Sequence, residues 1–168
     1  IERERKTAQI DEFCADDPCA PELIRRCLAV LRNLCHSSPA EAFLYPVDPQ
    51  TNMKYYESVL RPMSLYDVGK SLQAFARKVA EYGTTEEDIE STVVQFARDV
   101  RLIGQNATCF SNPGGPLMST AEELLRVFER LLFDWVLAPP HLLPSVDMLD
   151  DEKCVTFDES DEDSMILI

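Results

Sequence analysis

Residues 43 to 56 read Phe43-Leu-Tyr-Pro-Val-Asp-Pro-Gln-Thr-Asn-Met-Lys-Tyr-Tyr56, and the same segment runs on to Arg61-Pro62-Met63. Between Ala40 and Pro62 it holds three prolines and four aromatic side chains. Such a stretch is long for a connection between packed helices, and long irregular loops in compact domains are commonly binding surfaces. Its apolar content requires it to fold back against its neighbours. Those neighbours therefore decide the architecture.

Upstream, Pro21 suits a first helical turn, where its missing amide donor costs nothing. Leu23, Ile24, Cys27, Leu28, Val30, Leu31 and Leu34 then recur with helical spacing to about Cys35. Downstream, Ser64 is an N-cap for a helix from Leu65 to about Tyr82, with Leu65, Val68, Leu72, Phe75 and Val79 on one side and Gly83 as terminator. Thr85 with Asp88 approximates a capping box for a helix running to about Cys109 through Ile89, Val93, Phe96, Val100 and Ile103. After a turn at Asn112-Pro-Gly-Gly-Pro116, Ser119 with Glu122 signals a further cap. Leu124, Leu125, Phe128, Leu131, Leu132 and Trp135 form the last apolar face. Four amphipathic helices must bury their stripes against one another, so the expected fold is an all-α four-helix bundle with a long first interhelical loop. The expected organisation is an N-terminal lead-in at 1–20 with one short helical stretch, the helical bundle at 21–140, and an acidic flexible tail at 141–168.

The 168 residues carry a formal net charge of −14. From Asp147 onward nine acidic residues face one lysine, so residues 1–146 hold only −6 of that charge. Nucleic-acid phosphates would be repelled, which argues against direct nucleic-acid binding and for a cationic partner. No apolar run approaches the length of a membrane span, and no secretory leader is visible. The chain reads as one module of a longer protein. Cys14, Cys19, Cys27, Cys35, Cys109 and Cys154 read as free thiols, and the spacing from Cys14 to Cys35-His36 does not form a compact zinc motif. His36 and His141 adjoin helix ends without a nucleophile, and neither a phosphate-binding glycine loop nor an HExxH motif is present. Accordingly, no metal, cofactor or catalytic activity is expected.

In order along the chain come Phe43-Leu-Tyr-Pro46-Val47-Asp48, Tyr55-Tyr56, Pro62-Met63-Ser64-Leu65 and Phe96-Ala-Arg-Asp99-Val100-Arg-Leu-Ile103-Gly-Gln-Asn106-Ala107. Over roughly residues 22 to 138 this order resembles the bromodomain family. The resemblance implies a left-handed four-helix bundle whose first and last interhelical loops form a pocket for acetylated lysine. It also implies a nuclear, chromatin-associated module that binds acetylated histone or other acetylated protein peptides and works beside subunits of a chromatin complex. Phe43 resembles the shelf aromatic, with Pro46 beside it. Val47 resembles the small apolar wall, and Tyr55 the tyrosine that reaches the ligand through water. Phe110 stands where the family has a tyrosine, and Leu117 at the pocket mouth.

One position departs from the pattern. The family has Asn-Ala-x-x-Tyr-Asn, whereas this chain has Asn106-Ala-Thr-Cys-Phe110-Ser111-Asn112. Spacing from Asn106 and from Ala121 puts Ser111 at the ligand anchor; a shift of one residue puts Asn112 there. An asparagine amide both donates and accepts, while serine reaches less far with a single donor. The two readings left open are an acetyl-lysine reader of weakened or altered selectivity and a bromodomain-like protein-interaction scaffold that has lost acetyl-lysine recognition. Asn106 itself reads as structural, bonding free backbone groups of the loop.

Overall fold

The computed structural model describes residues 2–110 and 115–149. Ser111, Asn112 and the segment from 150 onward, which holds most of the expected tail, lie outside the described residues. Every described element is helical.

The four expected helices are present as α2 (Glu22–Cys35), α4 (Leu65–Tyr82), α5 (Glu86–Phe110) and α6 (Pro116–Leu132), joined by α1 (Glu2–Cys14) and the short α3 (Met53–Ser58). Their boundaries follow local chemistry. The Ser64 hydroxyl accepts from the Asp67 amide at 3.2 Å, and the Asp67 carboxylate accepts from the Ser64 amide at 3.0 Å, a complete capping box. Gly83 closes α4 at φ 74°, where a side chain would be strained. At α5, the Thr85 hydroxyl accepts from the Asp88 amide at 3.1 Å. Helix α6 begins earlier than the Ser119 signal suggests. Pro116 occupies its first turn with φ preset for a helix, and the Ser119 amide already donates to the Gly115 carbonyl at 3.2 Å. A π-helical turn, Phe133–Leu137, extends α6 and buries Trp135 and Val136.

The core centres on α2, which packs against α1, α4, α5 and α6. Ile24, Cys27, Leu28, Val30, Leu31 and Leu34 are fully buried. Between α5 and α6, Phe96 meets Phe128 edge-on at 5.6 Å, and Arg101 pairs with both oxygens of Glu129. This ion pair is nearly half exposed, so it adds little to stability.

At both ends the structure differs from the expected boundaries. The segment read as a lead-in forms α1, which packs on α4 and α2 and fully buries Ile10, Phe13 and Cys14. Its few apolar residues give little periodicity, yet they are the ones that meet the bundle. At the other end, residues 141–149 are held rather than free. Arg26 Nη2 donates to the Pro144 carbonyl at 2.8 Å, Asn33 Nδ2 to the Leu149 carbonyl at 3.3 Å, and Leu149 is fully buried. Residues 133–149 therefore continue the packed structure past Pro140.

At Gly69 on α4 an added Cβ would collide with the Phe13 carbonyl and lie 2.8 Å from the Phe13 ring. At Gly104 on α5 it would meet only the side-chain end of Leu125, which can turn away. Gly69→Ala is thus expected to lower the unfolding free energy by about 1–3 kcal/mol. Gly104→Ala should cost less, since alanine's higher helix propensity offsets the crowding. Urea titrations of both variants check this.

Burial pushes the Cys27 thiol up to about 12. The folded chain keeps it protonated, whereas the unfolded chain ionises it above its ordinary 9.0. Its contribution is complete below pH 9.0 and is lost as pH rises through the interval from 9.0 to about 12. Urea unfolding measured at increasing alkaline pH should show stability falling across this window, and a shallower fall in Cys27→Ala.

Candidate functional site

The loop from α2 to α4 is built from short local structures. A 3-10 turn, Ser38–Phe43, carries the chain off α2 and buries Pro39, Ala40 and Phe43. The Tyr66 amide then donates to the Leu44 carbonyl at 2.9 Å, tying the loop to the start of α4. Asp48 organises the next bend: its carboxylate accepts from the Gln50 amide at 2.9 Å, and its carbonyl accepts from the Asn52 amide at 3.1 Å. Helix α3 follows, inside a stretch the sequence presents as irregular. It buries none of its own residues, and Val59, just after it, is the buried anchor.

Two side chains hold this loop in shape. Tyr56 donates its hydroxyl to the Val47 carbonyl across the loop. Asn106, 7% exposed on α5, donates its amide to the Arg61 carbonyl at 2.8 Å, matching the structural role read from its sequence position.

The expected site residues divide into groups. Tyr55 and Phe110 come together: their rings meet edge-on at 5.2 Å, joining the loop to the last residue of α5. Tyr55 also packs edge-on against Tyr56 at 5.4 Å, and Tyr56 in turn holds Val47, so these three loop positions are coupled. Val47 is half-buried and Pro46 exposed. Phe43 belongs to the hydrophobic core, and Leu117, in the first turn of α6, packs half-buried against that same core. The structure gives these two residues a packing role. The candidate anchors Ser111 and Asn112 lie immediately after Phe110, outside the described residues.

Burial, followed by the neighbouring Tyr56, raises the pKa of Tyr55, so its phenol stays protonated at neutral pH. Its hydroxyl hydrogen-bonds no described residue. Sequence reasoning missed the exposed apolar rim beside these tyrosines. Met53 is 69% exposed and Leu60 96% exposed, two apolar side chains that the packing of the loop leaves in solvent. A separate groove of about 430 Å³ lies between α1 and α4, lined by Glu12, Asp16, Lys70, Gln73 and Arg77 among others. It shares no residue with the expected site and displays both charges, unlike the neutral, aromatic surround of Tyr55.

A family model described as Bromodomain matches residues 27–123. The chain is 29% identical over 114 residues to the SWR1 complex bromodomain subunit bdf1 of Schizosaccharomyces pombe, covering 67% of this chain and 18% of that protein. It is 28% identical over 136 residues to Transcription factor GTE1 of Arabidopsis thaliana, covering 80% of this chain and 31% of that protein. A bromodomain-containing protein of Dictyostelium discoideum is 27% identical over 133 residues, 78% of this chain and 8% of its own length. The chain thus spans less than a third of the length of each of these relatives.

Because the Asn106 amide is buried against one loop carbonyl, Asn106→Ala is expected to cost about 1–3 kcal/mol. It should also raise amide hydrogen exchange through residues 53–63, and raise exchange in the middle of α2 by no more than the lost global stability allows. Exchange followed by mass spectrometry checks both parts.

Proposed function

We propose that this chain, which belongs to the bromodomain family, binds acetylated lysine on histone tails or other acetylated proteins, within a nuclear chromatin complex. The observation that carries the reading is the Tyr55–Phe110 contact at 5.2 Å, which joins the long loop to the end of α5 next to both candidate anchors. The names of two similar proteins, a transcription factor and a bromodomain subunit of the SWR1 complex, support the setting.

Acetylation removes the lysine charge and adds a flat amide. A site for it needs apolar walls, a neutral polar contact and no carboxylate to favour the ammonium. In this reading Phe43, Val47 and Leu117 supply apolar surface, Pro46 flanks the shelf, and Tyr55 holds a water with its neutral hydroxyl. Phe110 packs behind Tyr55. The acetyl carbonyl takes its hydrogen bond from the Ser111 hydroxyl or the Asn112 amide. A serine anchor gives up one side of the amide pairing, a loss of about 1 kcal/mol or roughly fivefold in affinity. With Ser111 as the anchor, the reader is weaker or of altered selectivity compared with one anchored by asparagine. The formal charge of −14 draws unmodified lysines and arginines near the mark, helping encounter more than selection of the acetyl group.

The test is binding of the purified chain to arrays of acetylated and matching unacetylated histone peptides, followed by titration of the hits. Acetyl-dependent binding should appear, and Tyr55→Ala should weaken it. Either Ser111→Ala or Asn112→Ala should cost about fivefold or more, identifying the anchor. Acetyl-independent behaviour of a folded sample would sink the reading and favour the scaffold alternative.

A further inference from the structure

We infer that Phe13 of α1, outside the family-matched segment, is a positioning residue for the recognition loop and acts through Tyr45. This inference rests on the acetyl-lysine reading for its functional meaning, while its structural content can be tested without a ligand.

The Phe13 ring is 1% exposed and stands edge-on to Tyr45 at 5.9 Å and to Tyr66 at 5.5 Å. The Tyr45 and Tyr66 rings meet at 5.9 Å with a tilt of 42°, completing a three-ring cluster. Tyr45 lies between Leu44 and Pro46, inside the segment that carries Phe43 and Val47. Tyr66 sits in the first turn of α4 and holds the Leu44 carbonyl through its amide. The cluster thus joins α1, α4 and the beginning of the loop, behind the residues proposed to meet the ligand.

Phe13 is held firmly enough to act as a stop. Its backbone and ring occupy the space above Gly69 that any side chain would need. The end of α1 is fixed by side chains from two helices: Arg32 Nη1 on α2 donates to the Cys14 carbonyl at 2.8 Å, and Gln73 Nε2 on α4 donates to the Glu12 carbonyl at 3.0 Å. Carbonyls in the last turn of a helix lack intrahelical donors, so these two bonds set where α1 ends and hence where the ring stands. Tyr45 is 44% exposed, and one side of its ring is covered by Phe13 and Tyr66. Removing the Phe13 ring takes away a backstop and lets Tyr45 turn inward, carrying Pro46 and Val47 with it. Edge-on aromatic pairs add directional preference to burial, so an aliphatic replacement restores this support only in part.

The experiment compares the wild-type chain with Phe13→Ala, Phe13→Leu and the control Phe128→Leu, whose ring packs against Phe96 between α5 and α6. Circular dichroism selects a temperature at which all four are folded. Hydrogen exchange is read over residues 43–59, and affinity is read with doubly capped Nε-acetyl-lysine by chemical-shift titration. Phe13→Ala should accelerate exchange in that window and weaken binding about fivefold or more, with Phe13→Leu intermediate. The control should lose stability yet leave both readouts within about twofold, as for distant independent sites. Unchanged exchange over 43–59 in Phe13→Ala, or equal effects in Phe128→Leu, would overturn the inference. If wild-type chain ignores the acetyl-lysine probe while Phe13→Ala still loosens the loop, the positioning role stands and the reader reading falls.

Discussion

Two arginines on the central helix impose the condition that shapes this molecule. Arg26 and Arg32 are 5% and 8% exposed on α2, and a guanidinium cannot lose its proton to escape burial. Each must therefore find acceptors. Arg26 donates to the carbonyls of Trp135 and Pro144, and Arg32 to the carbonyl of Cys14. The Cys14 and Pro144 carbonyls lie outside the four-helix bundle proper, one on the segment before it and one on the segment after it. Burying α2 on all sides thus requires both flanking segments to come in and cover it. Neighbouring Arg25 extends the arrangement, binding Asp16 through both carboxylate oxygens and reaching Asp147 at 3.0 Å. Its hydrogen bond is the main reason the Asp16 carboxyl lies below its ordinary pKa.

The long loop follows from the same framework. With α1 recruited against α2 and α4, Phe13 becomes a wall behind Tyr45, and the loop leaves α2 over a filled surface. From there single interactions do the work of a regular element: the Asp48 bend, the Tyr56 bond to Val47, buried Val59, and the Asn106 bond to Arg61. A loop ordered by side chains at several separate points keeps its exposed residues in place without burying them. That is the condition a recognition surface needs, since the ligand then need not supply the ordering free energy itself.

Much of this was legible in the residues. Helices α2, α4 and α5 start and stop where periodicity and caps put them, because Ser64 with Asp67, Thr85 with Asp88, and Gly83 act within a few residues of chain. The structural role of Asn106 was also readable. Other features were not. Ser119 carries a cap signal, but Pro116 starts α6 a turn sooner because its fixed φ already suits a first turn. Helix α1 has too few apolar residues to announce a packed helix, and residues 141–149 look like the beginning of an acidic tail. Their order comes from Arg25, Arg26, Arg32 and Asn33, more than a hundred residues away from the C-terminal partners. Phe43 and Leu117 were read as pocket walls, and the structure shows them packed with the core; one side chain can border both.

The sequence by itself therefore determined the elements whose causes are local: helix identity, most caps, the break at residues 36–64, and the ordered motifs that place the chain among bromodomains. The tertiary structure alone decided how far the packed unit extends and what supports the loop. The physical reason is range. Capping and periodicity act over one or two helical turns, whereas a buried guanidinium or an aromatic edge is satisfied by whichever distant segment the packing brings within reach.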